Sequence, residues 1–308
     1  MTESASGADV LPGVQVIDLR FMGQPGCIAA YLLKGADGAA ALIETGPSST
    51  RAALLDGLRA AGVDPADVRD ILVTHIHLDH SGAVGVLLRD EMPRASVYVH
   101  PIGLPHLVDP TRLLRSASRL YGDMMDTLWG EVAPIPPHKV TPLEDGQSLR
   151  LAGHAVEVLF TPGHAAHHVA VRHLDSNAVF TGDVAGVRVP DADVINPPAV
   201  PPEFDLEAWE HSIDRLLALE PSALLLAHFG RHPDARAHLE SLRERLYAWT
   251  DLVRESLAAG QPPEELAAEL RARDEGAPGT TAEGMAQLNL IAGYGMSVAG
   301  ITRYLQKR

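Results

Sequence analysis

Three histidines and one aspartate stand within six consecutive residues, and this run constrains the chain more than any other feature. The run is His75-Ile76-His77-Leu78-Asp79-His80, and it directly follows the apolar segment Ile71-Leu72-Val73, which predicts a strand. Alternate side chains of an extended chain share one face, so we expect His75, His77 and Asp79 to point the same way. We expect His80 to come from the turn that begins the next helix. Imidazoles and a carboxylate fanned out in this way are typical of a metal site.

Three further polar residues follow other predicted strands, each beside a glycine. His164 follows strand 155–160, Asp183 follows strand 178–180, and His228 follows strand 223–227. Because sites in layered α/β folds are assembled at strand ends, we expect these residues to join the run. The combined set holds five histidines and two aspartates, which suit zinc, manganese or iron.

Composition limits the partners and the redox chemistry. The single cysteine, Cys27, excludes an intramolecular disulfide and a zinc site built from several thiolates. The formal net charge of −15 argues against a nucleic acid or an anionic membrane as the main partner, because negative surfaces repel both. No window approaches the ~20 apolar residues of a membrane span, and Met1–Gly7 lacks the pattern of a secretory signal. We therefore expect a cytoplasmic protein that acts on a small-molecule substrate.

The order of the predicted elements indicates an α/β layered domain. Strands are predicted at 14–19, 28–33, 39–43, 71–73, 97–99, 149–151, 155–160, 169–171, 178–180 and 223–227, and helices at 50–61, 82–88 and 206–219. Residues 103–139 differ, because leucine and methionine recur there at helical spacing, which predicts a helical insertion. The proline-rich stretch 189–202 predicts a long irregular loop of the kind that often carries function.

The C-terminal part is predicted to be helical throughout. Helices are expected at 235–259, 262–273 and 281–305, so we interpret 1–235 as a catalytic domain and 236–308 as a helical appendage. The last helix contains small residues that allow close packing, among them Gly295 and Gly300. This helix is expected either to form a homodimer or to dock against the chain's own sandwich.

The complete set of polar residues resembles the metallo-β-lactamase superfamily, whose pattern is T-H-x-H-x-D-H, then a distant histidine, an aspartate and a final histidine. The matching positions are Thr74 to His80, His164, Asp183 and His228, and the resemblance covers roughly residues 14–235. It implies a four-layer αββα sandwich with the site at one edge of the two sheets. It also implies two divalent metal ions, zinc in the first place and iron or manganese as alternatives. The implied ligands of the first ion are His75, His77 and His164, those of the second are Asp79, His80 and His228, and Asp183 bridges the two.

The resemblance further implies a reaction and supporting residues. A hydroxide between the two metal ions would attack the substrate, with Asp79 as the catalytic residue that orients it or passes a proton to the leaving group. The family usually has an aspartate where this chain has Glu44, and this carboxylate is expected to support Thr74 or a ligand histidine. His168 aligns with a histidine of the thioesterase-like branch that is not a metal ligand.

The choice of substrate is less constrained by the motif. The Thr161-Pro162-Gly163-His164 segment and the helical appendage are similar to the glyoxalase II-like branch, so we expect a thioester or carboxyl ester hydrolase. The alternatives are a lactonase or β-lactamase-type amide hydrolase, a persulfide dioxygenase with one iron, a phosphodiesterase, and a non-catalytic binding module. Tyr121, Trp129 and Arg231 are candidate substrate contacts. The remaining histidines, His106 among them, are expected to be surface or packing residues.

Overall fold

Two β-sheets form the centre of the computed structural model, which describes residues 9–308. The polar stretch Met1–Gly7 lies outside the described residues. The first sheet has the order β1 to β7, and its strands are Asp9–Leu11 (β1), Val14–Asp18 (β2), Ala29–Lys34 (β3), Ala40–Ile43 (β4), Val68–Leu72 (β5), Ser96–Val99 (β6) and Val140–Pro142 (β7). The second sheet has the order β13-β12-β11-β10-β9-β8, and its strands are Ser148–Leu151 (β8), His154–Phe160 (β9), Val169–His173 (β10), Ala178–Gly182 (β11), Leu224–Leu226 (β12) and Gly230–His232 (β13).

Eleven α-helices connect or cover these strands within residues 9–308. They are Arg51–Ala60 (α1), Leu78–Ser81 (α2), Val84–Asp90 (α3), Leu104–Val108 (α4), Thr111–Tyr121 (α5), Met125–Trp129 (α6), Leu206–Ala218 (α7), Ala235–Ala259 (α8), Pro263–Glu275 (α9), Ala282–Ile291 (α10) and Tyr294–Gln306 (α11). Strands β4 to β7 are parallel, and so are β11 and β12. Parallel neighbours require crossovers, which α1, α3, the segment α4 to α6, and α7 provide. Within the described range, no helix combines the length and the apolar character needed to cross a membrane.

Three hydrophobic clusters correspond to the three interfaces of a four-layer sandwich. Strand β3 is buried on both of its faces. Tyr31 belongs to the cluster between the two sheets, whereas Leu32 belongs to the cluster between the first sheet and helices α1 and α3. A strand that is buried on both faces reads as a continuous apolar run, as this one does. The third cluster joins the outer face of the second sheet to α7 and α8. The predicted αββα sandwich is therefore confirmed.

The C-terminal helices share a core with the sandwich. Val179 and Leu224 of the second sheet belong to the same hydrophobic cluster as Leu239 of α8, Leu270 of α9 and Ile301 of α11. A Cβ atom added to Gly300 would lie 1.9 Å from the carbonyl oxygen of Ala199, so this small residue allows α11 to approach its own chain. The division at residue 235 and the homodimer remain predictions.

The prediction of a single helix over 281–305 is wrong. Helix α10 ends at Ile291 and α11 begins at Tyr294, because Ala292 leaves the helical region with φ −135° and ψ 67°. The carbonyl oxygen of Ala292 accepts a hydrogen bond from Nδ2 of Asn196 (3.1 Å), a residue of the proline-rich loop. A tertiary contact therefore replaces the helical bond that this carbonyl would have accepted.

Two further expectations were incomplete. The three-residue strands β1, β7 and β13 were missed, because segments this short carry no usable periodicity. The predicted helix 82–88 corresponds to α3 (Val84–Asp90), but a separate short helix, α2, precedes it and carries Asp79. An extended run therefore does not explain the position of Asp79.

The two sheets meet at one edge through direct hydrogen bonds. The Tyr31 hydroxyl donates to the carbonyl oxygen of Leu226 (2.6 Å), and the Ala29 N–H donates to that of Ala227 (2.8 Å). Both donors come from β3 of the first sheet, and both acceptors lie at the end of β12 in the second. The residues after β5, β9, β11 and β12 all converge at this edge.

Candidate metal centre

Three histidines from two elements form the first group of the site. Nδ1 of His77 lies 3.0 Å from Nε2 of His75 and 2.9 Å from Nε2 of His164. His75 follows β5, and His164 follows β9 in a turn that contains Gly163. Gly163 has φ +137°, and a Cβ atom there would lie 2.3 Å from the Trp209 backbone. Only glycine therefore lets this turn pass α7 closely enough to present His164.

A second group combines two histidines with a carboxylate. Oδ2 of Asp79 lies 3.6 Å from Nε2 of His80 and 3.5 Å from Nε2 of His228. The two Nε2 atoms are themselves 3.4 Å apart. Asp79 and His80 are neighbours on α2, whereas His228 follows β12 of the other sheet.

Asp183 lies between the two groups. Its Oδ2 atom is 3.4 Å from Nε2 of His164 in the first group. Its Oδ1 atom is 3.2 Å from Nε2 of His80 and 3.4 Å from Nε2 of His228 in the second. Oδ1 is buried, and these contacts lack hydrogen-bond geometry, so it accepts no hydrogen bond within the described residues. A buried carboxylate oxygen without a donor indicates a ligand of another kind, such as a cation.

The hydrogen bonds on the outer side of the rings fix their tautomers. Nδ1 of His164 faces the Pro198 carbonyl oxygen at 2.7 Å, and Nδ1 of His228 faces that of Cys27 at 2.8 Å. A carbonyl oxygen only accepts, so both Nδ1 atoms carry a hydrogen, and Nε2 is the atom of each neutral ring that can present a lone pair to the site. Lone pairs that face other acceptors are stabilised by a positive charge between them.

The spacing of these atoms fits divalent metal ions. Zn–N and Zn–O bonds of 2.0–2.2 Å in a tetrahedron give ligand separations of about 3.3–3.6 Å. The separations in the second group and around Asp183 run from 3.2 to 3.6 Å. The separations in the second group therefore match those of ligands around one ion, whereas the separations of 3.0 and 2.9 Å in the first group are shorter. The two oxygens of Asp183 face one group each.

Glu44 and Thr74 support the site from behind. Glu44 directly follows β4 with φ 68°, and its carboxylate accepts hydrogen bonds from the Thr74 hydroxyl and, at 3.4 Å, from the Thr74 N–H. Oε1 of Glu44 also lies 3.2 Å from Nδ1 of His80. The Thr74 oxygen lies 3.0 Å from Nδ1 of His75, which positions that ring as well. One carboxylate thus orients a histidine of each group.

His168 contacts the site without facing either group. Its Nδ1 atom lies 2.8 Å from the Thr161 hydroxyl oxygen, and its Nε2 atom accepts the backbone N–H of Asp183 at 3.0 Å. Both ring nitrogens are therefore used. The ring holds the loop that carries Asp183.

The two groups differ in electrostatics. Burial lowers the pKa of His75 and His164, and it lowers the pKa of His77 to about 3, so these rings are neutral. Burial opposes the charged form of His228 too, but Asp183 and Asp79 outweigh it and raise the His228 pKa to about 9. The negative charge that favours a proton there also favours a divalent cation.

A cavity of about 340 Å³ opens onto both groups. Asp79 and His77 form part of its floor, and one wall comes from helices α4, α5 and α6 of the predicted insertion. The wall is mainly apolar, and its members include Leu113, Ala117, Leu120, Tyr121 and Trp129. A concave apolar pocket with a few polar groups at its base is typical of a small-molecule site.

The structure brings all seven candidate ligands together, with Glu44, Thr74 and His168 around them. Tyr121 and Trp129 line the cavity, but Arg231 lies on β13 and is not among the lining residues. Sequence reasoning missed four titratable residues of the lining, which are His106, Arg112, His167 and Glu203. The proline-rich composition around Glu203 was the only signal that pointed to one of them.

Comparison with known proteins agrees with this geometry. A sequence model described as the metallo-beta-lactamase superfamily matches residues 24–228. The metallo-beta-lactamase family protein TTHA1429 from Thermus thermophilus superposes with a TM-score of 0.72 at 25% identity. The superposition covers 97% of this chain and 94% of that one.

Two curated relatives are similar over part of their length. The metallo-beta-lactamase fold-containing protein ST1585 of Sulfurisphaera tokodaii is 31% identical over 163 residues, which are 52% of this chain and 60% of that protein. An atrochrysone carboxyl ACP thioesterase of Aspergillus fumigatus is 29% identical over 142 residues, which are 46% of this chain but only 26% of that protein.

Proposed function

The chain belongs to the metallo-beta-lactamase superfamily, and from this premise we propose that it is a metal-dependent hydrolase of a thioester or carboxyl ester. The observation that carries the proposal is the position of Asp183, whose two carboxylate oxygens lie within 3.4 Å of histidine nitrogens from both groups. Such a carboxylate suits two neighbouring divalent ions. When bound, these ions supply Lewis-acid activation of a water molecule and of the scissile carbonyl group.

The protein's own groups have separate tasks in this proposal. His75, His77 and His164 would hold one ion, Asp79, His80 and His228 would hold the other, and Asp183 lies between the two groups. Asp79 also lines the cavity, with its side chain 20% exposed, whereas His80 and His228 are buried. Asp79 is therefore the ligand that can also accept a proton from the attacking water or return one to the leaving group.

The apolar wall of the cavity supports an acyl substrate. Leu113, Leu120 and Trp129 offer contacts to a hydrocarbon or aromatic group and would exclude bulk water from it. The similarity to a relative described as a thioesterase favours a thioester among the substrates considered. We place the chain nearest the thioesterase-like members, of which the glyoxalase II-like branch is one.

Metal analysis combined with a substrate panel tests the proposal. The panel contains an acyl pantetheine thioester, a glutathione thioester, an acyl lactone, a β-lactam and a phosphodiester. We expect about two divalent ions per chain and preferential hydrolysis of a thioester. His77→Ala should lose metal and activity together, whereas His138→Ala, at an exposed position, should lose neither. A single iron with oxygen consumption, or no metal and no turnover, would contradict the proposal.

A further inference from the structure

Helix α5 carries a row of three arginines and no acidic residue. Arg112, Arg115 and Arg119 stand at i, i+3 and i+7, which places them within an arc of about 60° on the helix. All three are exposed. The whole chain has a net charge of −15, so this row is a positively charged patch on an acidic protein.

The three arginines are not engaged in ion pairs. Over residues 9–308, no carboxylate oxygen lies within 4.0 Å of their guanidinium nitrogens, although Asp109 and Asp123 flank the helix. Some exposed arginines on other helices have carboxylate partners, although Arg273 on α9 and Arg303 on α11 do not within the described residues. Arg236 pairs with Glu240 on α8, and Arg271 pairs with Glu275 on α9. The charge on α5 is therefore available to a partner.

The arginine row follows the rim of the cavity over the metal centre. Leu113, Ser116 and Leu120 of the same helix line that cavity, as does Arg112, whereas Arg115 and Arg119 lie outside it. Seven residues of helix extend about 10 Å. Apolar side chains are exposed at the same rim, where Leu120 is 45% and Ile102 is 53% accessible. An apolar centre beside a charged edge is the usual composition of a protein interface.

We propose that α5 is the docking surface for an acidic carrier protein that presents the acyl substrate as a thioester on a flexible phosphopantetheine arm. The inference rests on the proposed function, because it assigns the carrier for the same hydrolysis. A ligand that reaches the cavity and the arginine row at once must extend well beyond the pocket. The row lies on an exposed helix face, whereas small molecules bind in concave sites, so a protein surface fits better than a nucleotide. Complementary charge would speed the encounter and fix its orientation.

The reaction on this carrier is an ordinary hydrolysis. The bond between the acyl carbon and sulfur breaks, the oxygen of water enters the carboxylic acid, and the sulfur leaves as the thiol with one proton of that water. No oxidant or reductant is required.

The test compares one octanoyl group on three carriers, which are an acidic acyl carrier protein, coenzyme A and pantetheine. We expect the double variant Arg115→Gln/Arg119→Gln to lower kcat/KM for the carrier-protein substrate by about tenfold or more. Its kcat/KM for the pantetheine thioester should stay within about twofold of the wild type, which also shows that the variant is folded. The matched control, Arg236→Gln/Arg254→Gln on α8, should leave all three rates unchanged.

The outcomes separate the two proposals. Unchanged kinetics of the α5 variant on the carrier protein, with normal pantetheine hydrolysis, would overturn the docking surface alone. An equal loss on coenzyme A and the carrier protein would assign the arginines to a phosphate of the small molecule and would also overturn it. Failure of the wild type on all three thioesters would refute the proposed function, and the docking surface with it.

Discussion

The carboxylate of Glu44 lies 3.2 Å from Nδ1 of His80, so a residue at the end of β4 orients a ring on α2. The same carboxylate accepts the Thr74 hydroxyl, whose oxygen lies 3.0 Å from Nδ1 of His75. The family pattern has an aspartate at this position. Here the longer glutamate side chain still reaches both Thr74 and His80. It therefore contacts His80 of the second group directly and His75 of the first group through Thr74.

Removal of the Glu44 charge should weaken metal binding. Glu44→Gln keeps the size but loses the negative charge that favours the Nδ1–H tautomer of His80, and such changes behind a metal ligand typically cost 10–100-fold in affinity. Chelator competition measures the effect. The control is Glu131→Gln, because Glu131 is exposed and its one ion pair among residues 9–308 is with Arg89. Unchanged metal affinity in Glu44→Gln would show that Glu44 does not support the site.

Gly163→Ala should destabilise the protein and disturb His164. The new Cβ atom would lie 2.3 Å from the Trp209 backbone at a φ of +137°, so strain and overlap together should cost more than about 2 kcal/mol. Gly38→Ala is the matched control, because Gly38 has φ +84° with open space around it, and it should cost only about 1 kcal/mol. Denaturant unfolding gives both values. Equal losses would mean that the contact with Trp209 is unimportant.

Acid should destabilise the protein partly through His238. Burial lowers the pKa of His238 to about 3, although the hydrogen bond to the Ala185 carbonyl oxygen works in the opposite direction. Between its ordinary pKa near 6.5 and this value, the unfolded chain binds a proton that the folded chain does not. Each pH unit in this window therefore removes about 1.4 kcal/mol of stability, and the loss is absent above it.

The variant His238→Gln isolates this contribution. The difference in unfolding free energy between wild type and variant should shrink by roughly 2 kcal/mol from pH 7 to pH 5, because only the wild type has the titrating ring. The matched control is His138→Gln, because His138 is an exposed histidine. A constant difference across this range would contradict a neutral buried His238.

A larger side chain at the cavity mouth should discriminate among acyl groups. Ser116 is exposed and lines the cavity of about 340 Å³, so Ser116→Phe would narrow the entrance without entering the core. We expect kcat/KM for an octanoyl thioester to fall about tenfold relative to that for an acetyl thioester. Ser118→Phe, on the same helix but outside the cavity, should not change this ratio. Equal effects of the two variants would place the acyl group elsewhere.

The sequence by itself determined the residue types of the site and the layers that carry it. The spacing from His75 to His80 and the strand ends before His164, Asp183 and His228 sufficed to predict one convergent cluster. The apolar strands predicted a layered α/β domain, because strand periodicity is a local property that short windows retain. The two-sheet sandwich was implied by the resemblance to the superfamily.

Only the tertiary structure decided which atoms face one another. It set the distances from Asp79 to His80 and His228, and it selected the inward nitrogen of His164 and of His228 through the distant carbonyl groups of Pro198 and Cys27. It also brought Glu203 and Arg112 to the cavity from separate segments, and it divided the last predicted helix at Ala292. These outcomes depend on contacts between residues far apart in the chain, and local patterns of residues do not encode such contacts.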